Sequence, residues 1–99
     1  MTITKTKNGN TLTVALEGRL DTITAPQLES GLHPEMDSAK ELIFDLKDLV
    51  YISSAGLRVL LASQKTMNKQ GSMCIRNVNP DVMEVFELTG FVDILNIEE

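Results

Sequence analysis

Tryptophan is absent from this 99-residue chain, and tyrosine, histidine and cysteine each occur once, beside three phenylalanines. So few aromatic rings leave no stacking platform on which bases could be held. Nine scattered Lys and Arg against fourteen Asp and Glu, a formal net charge of −5, supply no clustered basic surface for phosphates. Nucleic acid is therefore not the expected partner, and a protein is. One cysteine cannot close an internal disulfide, and one Cys with one His cannot build a structural zinc site. Cys74 sits in an apolar run and reads as a small buried hydrophobe. No apolar run approaches the roughly 20 residues that span a bilayer, so no direct membrane insertion is expected. The N-terminus, Thr2-Ile3-Thr4-Lys5-Thr6, alternates like a strand and does not resemble a signal peptide, so a cytoplasmic location is expected. A glycine-rich loop with a P-loop lysine is missing too, so neither cofactor nor metal is expected.

What is present is an ordinary globular composition, 42% hydrophobic and 23% charged, long enough for one domain over residues 1–99. Leu12, Val14 and Leu16 alternate with Thr11, Thr13, Ala15 and Glu17 after an Asn8-Gly9-Asn10 turn, which predicts a second strand. Gly18-Arg19-Leu20-Asp21 is expected to leave the sheet. A helix is predicted to start near Thr24, where Thr24 with Gln27 has capping-box spacing and Pro26 suits a first turn. Leu28 and Leu32 form its inner stripe, and Gly31 with Pro34 should end or bend it near His33. Leu42-Ile43-Phe44-Asp45-Leu46 is a compact apolar strand, followed by a loop carrying Asp48 and Tyr51. From about Ser54 a second helix turns Leu57, Leu60, Leu61 and Met67 inward until Gly71 stops it. Met73 to Asn77 is a further strand. Asn79-Pro80-Asp81 opens a third helix that buries Val82, Val85 and Phe86 and stops at Gly90; the tail from Val92 to Ile97 packs back as a short strand or last turn. Two strands followed by strand–helix–strand–helix alternation predict a mixed sheet of four to five strands with parallel pairs, in a single α/β domain with about four helices.

Chemistry concentrates where the strand ending at Ile52 becomes a helix: Tyr51-Ile52-Ser53-Ser54-Ala55-Gly56-Leu57. A helix start leaves N–H groups unpartnered and carries partial positive charge, so a serine there can cap it or carry an anion. Ser54 suits both roles, and Gly56 is expected to clear room for an approaching molecule. A hydrolase nucleophile elbow needs G-x-S-x-G and a histidine base, whereas the local pattern is S-S-A-G and the sole histidine, His33, precedes it beside Pro34. The chain is not expected to be an enzyme. Among the carboxylates, Asp81 is explained by a helix start and Glu98-Glu99 by a solvated end. Asp21, after a strand and a Gly-Arg turn, stands where loops gather beside one another.

The ordered set Gly18-Arg19-Leu20-Asp21, Thr24-Ala25-Pro26, Asp45-Leu46, Tyr51 to Leu57, Asn77-Val78 with Pro80, and Leu88-Thr89-Gly90-Phe91 resembles a stand-alone STAS domain of the bacterial anti-sigma factor antagonist type, over nearly the whole length. That resemblance implies a phosphorylation-controlled partner switch. The unmodified chain would bind an anti-sigma factor serine kinase and displace the target the kinase holds. The kinase would then phosphorylate a serine just ahead of the glycine, Ser54 when aligned on Gly56, and a metal-dependent serine phosphatase would reverse it. Ser53 stands where members of this family often carry aspartate, and Asp21 matches a loop residue that contributes to partner contact. The partner-binding set implied is Asp21, Ser53, Ser54, Ala55, Gly56 and Arg58. A different class of function is a non-phosphorylated STAS subunit of a membrane transporter complex.

Overall fold

A computed structural model describes residues 1–98. Strand β1 (Thr2–Asn8) turns at Gly9 into β2 (Thr11–Leu20), helix α1 (Ala25–Met36) leads to β3 (Glu41–Ile52), and α2 (Ser54–Gln70) leads to β4 (Ser72–Arg76). Helix α3 (Pro80–Thr89) and a short 3-10 turn (Phe91–Asp93) follow. The sheet order is β1-β2-β3-β4, with β1 antiparallel to β2 and the β2/β3 and β3/β4 pairs parallel. The tail adds one parallel bridge beside β4, from Ile97 to Ile75, so the mixed sheet and the packed-back tail are as the sequence predicts.

Strand alternation puts Leu12, Val14, Leu16, Leu42, Phe44, Leu46, Met73 and Ile75 on one face, where the buried sides of all three helices join them in a single core. Ile43 and Cys74, paired across β3 and β4, are also buried but lie outside that core cluster. Burial pushes the Cys74 thiol up from its ordinary value, so it stays protonated near neutral pH.

Four elements depart from the sequence reading. Gly18-Arg19-Leu20 does not leave the sheet: β2 runs on to Leu20 and β3 to Ile52, so Asp48 and Tyr51 are strand residues rather than loop. Register shifts on either side of Glu17 and Gly18 absorb the irregularity, with Gly18 at φ 101°, a conformation a side chain disfavours. Helix α1 does not end at His33 but continues through Pro34 to Met36. The ring removes the N–H that would meet the Ser30 carbonyl, yet Ser30 is exposed and water can satisfy it, while Lys5 Nζ takes the next carbonyl, Gly31 O, at 2.9 Å. Burial of Leu32 and Met36 on either side of the proline offsets the loss. On α2 the inward positions are Leu57, Val59, Leu60, Ser63, Gln64 and Met67, with Leu61 only half-buried.

The far ends of the two crossover helices are joined by one side chain. Gln70 Nε2 donates to the Met36 and Ala39 carbonyls at 2.7 and 2.8 Å, tying the end of α2 to the end of α1 and the turn after it. Beside it a Cβ on Gly71 would come within 1.9 Å of the Lys40 carbonyl oxygen, so glycine is required by close approach.

Candidate functional site

Leu20 and Ile52 are register partners at the ends of β2 and β3, and they bring the loop that follows each strand side by side. The Ser53 N–H donates to the Leu20 carbonyl at 2.9 Å, which fixes the start of α2 against the β2–α1 loop. Ser53 is the N-cap: its backbone is extended, and its Oγ accepts the Gly56 N–H at 3.3 Å. The sequence offered Ser54 the capping role beside that of carrying an anion, and the structure gives the cap to Ser53, one residue back. Ser54 is the first residue of α2, exposed, and no described residue hydrogen-bonds its hydroxyl. The two hydroxyls are thus separated by role, one turned into the helix and one turned out.

Gly56 is also corrected. It is buried, and a Cβ there would lie 2.7 Å from Leu20 Cγ and 2.9 Å from Ile52 Cγ1. The missing side chain admits the ends of β2 and β3 beneath the helix, not an outside molecule above it. Ala55 is half-buried, and Arg58, one turn beyond Ser54, is exposed and in no ion pair among the described residues.

Asp21 organises the neighbouring loop. Its Oδ1 accepts from the N–H groups of Ile23 and Thr24, both at 3.0 Å, and Arg19 Nε approaches Oδ2 at 3.8 Å. The Thr24 N–H first, then the Ile23 N–H, the Thr24 hydroxyl and the Arg19 charge, hold its carboxyl below the ordinary 3.8 despite an opposing desolvation. Thr24 does not form the capping box read from Gln27. Its hydroxyl accepts the Asp21 N–H at 2.8 Å and directs its one proton toward the Arg19 carbonyl at 2.8 Å or Asp21 Oδ1 at 3.1 Å. Arg19 also lies 4.1 Å over the Tyr51 ring, its register partner on β3. The sequence reading missed this pair and the exposed Ile23; the alternation of β2 carried into Gly18–Leu20 would have shown Arg19 facing Tyr51.

A shallow groove of about 360 Å³ runs from this junction between α1 and α2, with Thr22, Ala55 and Arg58 at its upper end and Glu29 and Ala62 further along. No group of three or more His, Cys, Asp or Glu that could hold a metal occurs among the described residues, and no described helix is long and apolar enough to cross a membrane. What the junction offers is an exposed hydroxyl on positive helical charge. The N–H groups of Ser54 and Ala55 have no partner among the described residues.

The STAS domain family model matches residues 2–99. The chain belongs to the STAS domain family. It is 37% identical over 99 residues to BtrV of Bordetella bronchiseptica, a candidate anti-sigma factor antagonist by name, covering 98% of this chain and 85% of that protein. It is 34% identical over 92 residues to the anti-sigma-B factor antagonist of Bacillus subtilis, covering 92% of this chain and 84% of the relative. Among solved structures, the phosphorylated form of the Bacillus cell fate determinant SpoIIAA superposes with a TM-score of 0.77 at 17% identity, covering 99% of this STAS chain and 92% of that one. That last likeness is one of fold.

Proposed function

We propose that this STAS protein is an anti-sigma factor antagonist that works by phosphorylation-controlled partner switching. The observation that carries the reading is the Ser54 hydroxyl: exposed, free of the capping task that Ser53 performs, and set at a helix start in a chain whose relatives bear the antagonist name. Unmodified, the protein binds an anti-sigma factor serine kinase through the face formed by Asp21, Ser54, Ala55 and Arg58, with Ser53 and Gly56 fixing that face from beneath. The kinase supplies ATP. The Ser54 oxygen bonds to the γ-phosphorus as the bridging P–O bond to ADP breaks, and the hydroxyl proton passes to a base on the kinase. A metal-dependent serine phosphatase returns the hydroxyl by hydrolysis.

The added group brings roughly −1.5 to −2 charges at neutral pH. Within the protein the unpartnered N–H groups and Arg58 favour it, so the fold is unchanged. Across a close interface the same group adds bulk, desolvation and repulsion from partner carboxylates; a loss of about 3 kcal/mol weakens binding more than a hundredfold. Incubation with the cognate kinase and ATP, followed by peptide mass spectrometry, is expected to place one phosphate on Ser54 and none on Ser54→Ala. Ser54→Ala retains kinase binding and Ser54→Asp loses it. Labelling of Ser54→Ala, or equal binding by the two variants, overturns the reading.

A further inference from the structure

Ile23 is 78% exposed at the tip of the β2–α1 loop. An isolated aliphatic side chain on a surface is ordinary; two features of this one are not. Its backbone is held rigidly, because the Asp21 carboxylate accepts the Ile23 N–H at 3.0 Å and the following Thr24 N–H at 3.0 Å, while the Thr24 hydroxyl takes the Asp21 N–H at 2.8 Å. A side chain presented on a prefolded loop loses little further freedom on binding. Its position is also fixed beside the modification site. The loop is joined to the start of α2 by the bond from Ser53 N–H to the Leu20 carbonyl, and the adjacent Thr22 lines one groove with Ala55 and Arg58. The Asp21 carboxylate is thereby largely spent inside its own loop, and what this loop offers outward is the Thr22 side chain, on the groove, and the apolar Ile23 beside it.

We propose that Ile23 is the apolar anchor by which this protein docks on the kinase that modifies Ser54, entering an apolar pocket on the kinase surface. The proposal rests on the partner-switching reading above and names the contact that the charged and hydroxylic residues do not supply. An aliphatic anchor in a desolvated pocket at the centre of an interface carries a large share of binding, and truncating it costs a corresponding share. Because Ile23 touches no reacting atom, it acts on binding and not on the transfer of phosphate itself.

The test measures the dissociation constant of the unphosphorylated protein for its cognate kinase by titration calorimetry, together with the steady-state kinetics of Ser54 phosphorylation. Ile23→Ala is expected to weaken binding ten- to hundredfold and to raise KM by a similar factor with kcat unchanged. Ile23→Met, which keeps an apolar side chain, stays within threefold of the parent, and Ile23→Asn loses as much as Ile23→Ala. The urea midpoints of all three match the parent, since the side chain is exposed. If the parent binds and is phosphorylated on Ser54 while Ile23→Ala binds within twofold of it, the anchor is overturned and the switch stands. If the parent itself neither binds nor is phosphorylated, the partner-switching reading has failed. A fall in kcat with KM unchanged, or equal losses in Ile23→Met and Ile23→Asn, also overturns the anchor.

Discussion

At the start of α2 the Ser53 hydroxyl accepts the Gly56 N–H at 3.3 Å, and at the start of α3 Asn79 Oδ1 accepts the Val82 N–H at 2.9 Å. Both helices follow extended caps, and both satisfy the third N–H of the first turn. They differ in what is left over. Asn79 also sends its Nδ2 to the Leu49 carbonyl, and the next residue is Pro80, which brings neither N–H nor hydroxyl. At α2 the next residue is Ser54, exposed, with a hydroxyl that nothing in the described fold uses. A helix start whose first residue brings no hydroxyl serves the fold. One with a surplus hydroxyl is available to chemistry from outside.

Substitutions can break this contrast, and the largest effect is expected beneath α2. Gly56→Val forces a side chain against Leu20 and Ile52, where even a Cβ would sit at 2.7 and 2.9 Å. Overpacking of this kind costs about 1–3 kcal/mol, with this site near the top of that range, read as a lower urea midpoint. Next come the caps: Asn79→Ala loses a cap and a tie to β3, about 1–2 kcal/mol, and Ser53→Ala about 1 kcal/mol, whereas Ser54→Ala changes stability by less than about 0.5 kcal/mol. A Ser54→Ala cost as large as that of Ser53→Ala would erase the difference between the two hydroxyls.

The smallest effect sharpens the comparison with a third helix start. The folded-state pKa of Asp21 lies below 3.8, led by the Thr24 N–H, so its contribution is fully present above the unfolded value and is lost as pH falls through the lower folded value. Asp21→Asn is therefore expected to lie closest to the parent in acid and furthest from it above pH 4 (about the unfolded value) in pH-dependent urea titrations.

Much of this architecture was legible in the residues. The alternation from Thr11 to Glu17, the stripe of Leu57, Leu60 and Met67, and the Asn79-Pro80-Asp81 opening gave β2, α2 and α3 from periodicity and capping chemistry alone. The misreadings share a cause, which is that a local signal was answered by a distant group. Pro34 did not end α1 because Leu32 and Met36, on either side of it, are buried in the core that β2 and β3 share. Gly18 did not end β2 because the sheet accommodates it as an irregularity beside β3. At the candidate site, the pair Ser53-Ser54 announced a helix start, yet which of the two caps was decided by backbone shape. Thr24 looked like a capping-box residue, but Asp21 had already claimed its N–H. Ile23 carried no signal in any pattern, since exposure on a rigid loop is a property of the fold and not of spacing.

Gln70 has a consequence for how the molecule breathes. Because a single amide holds both Met36 and Ala39, fraying of the last turn of α2 also releases the end of α1. Amide exchange at these two ends should accelerate in concert in Gln70→Ala, while the protection of Leu57 at the opposite end of α2 stays as it was. The helix that presents Ser54 can loosen at one tip and remain quiet at the other.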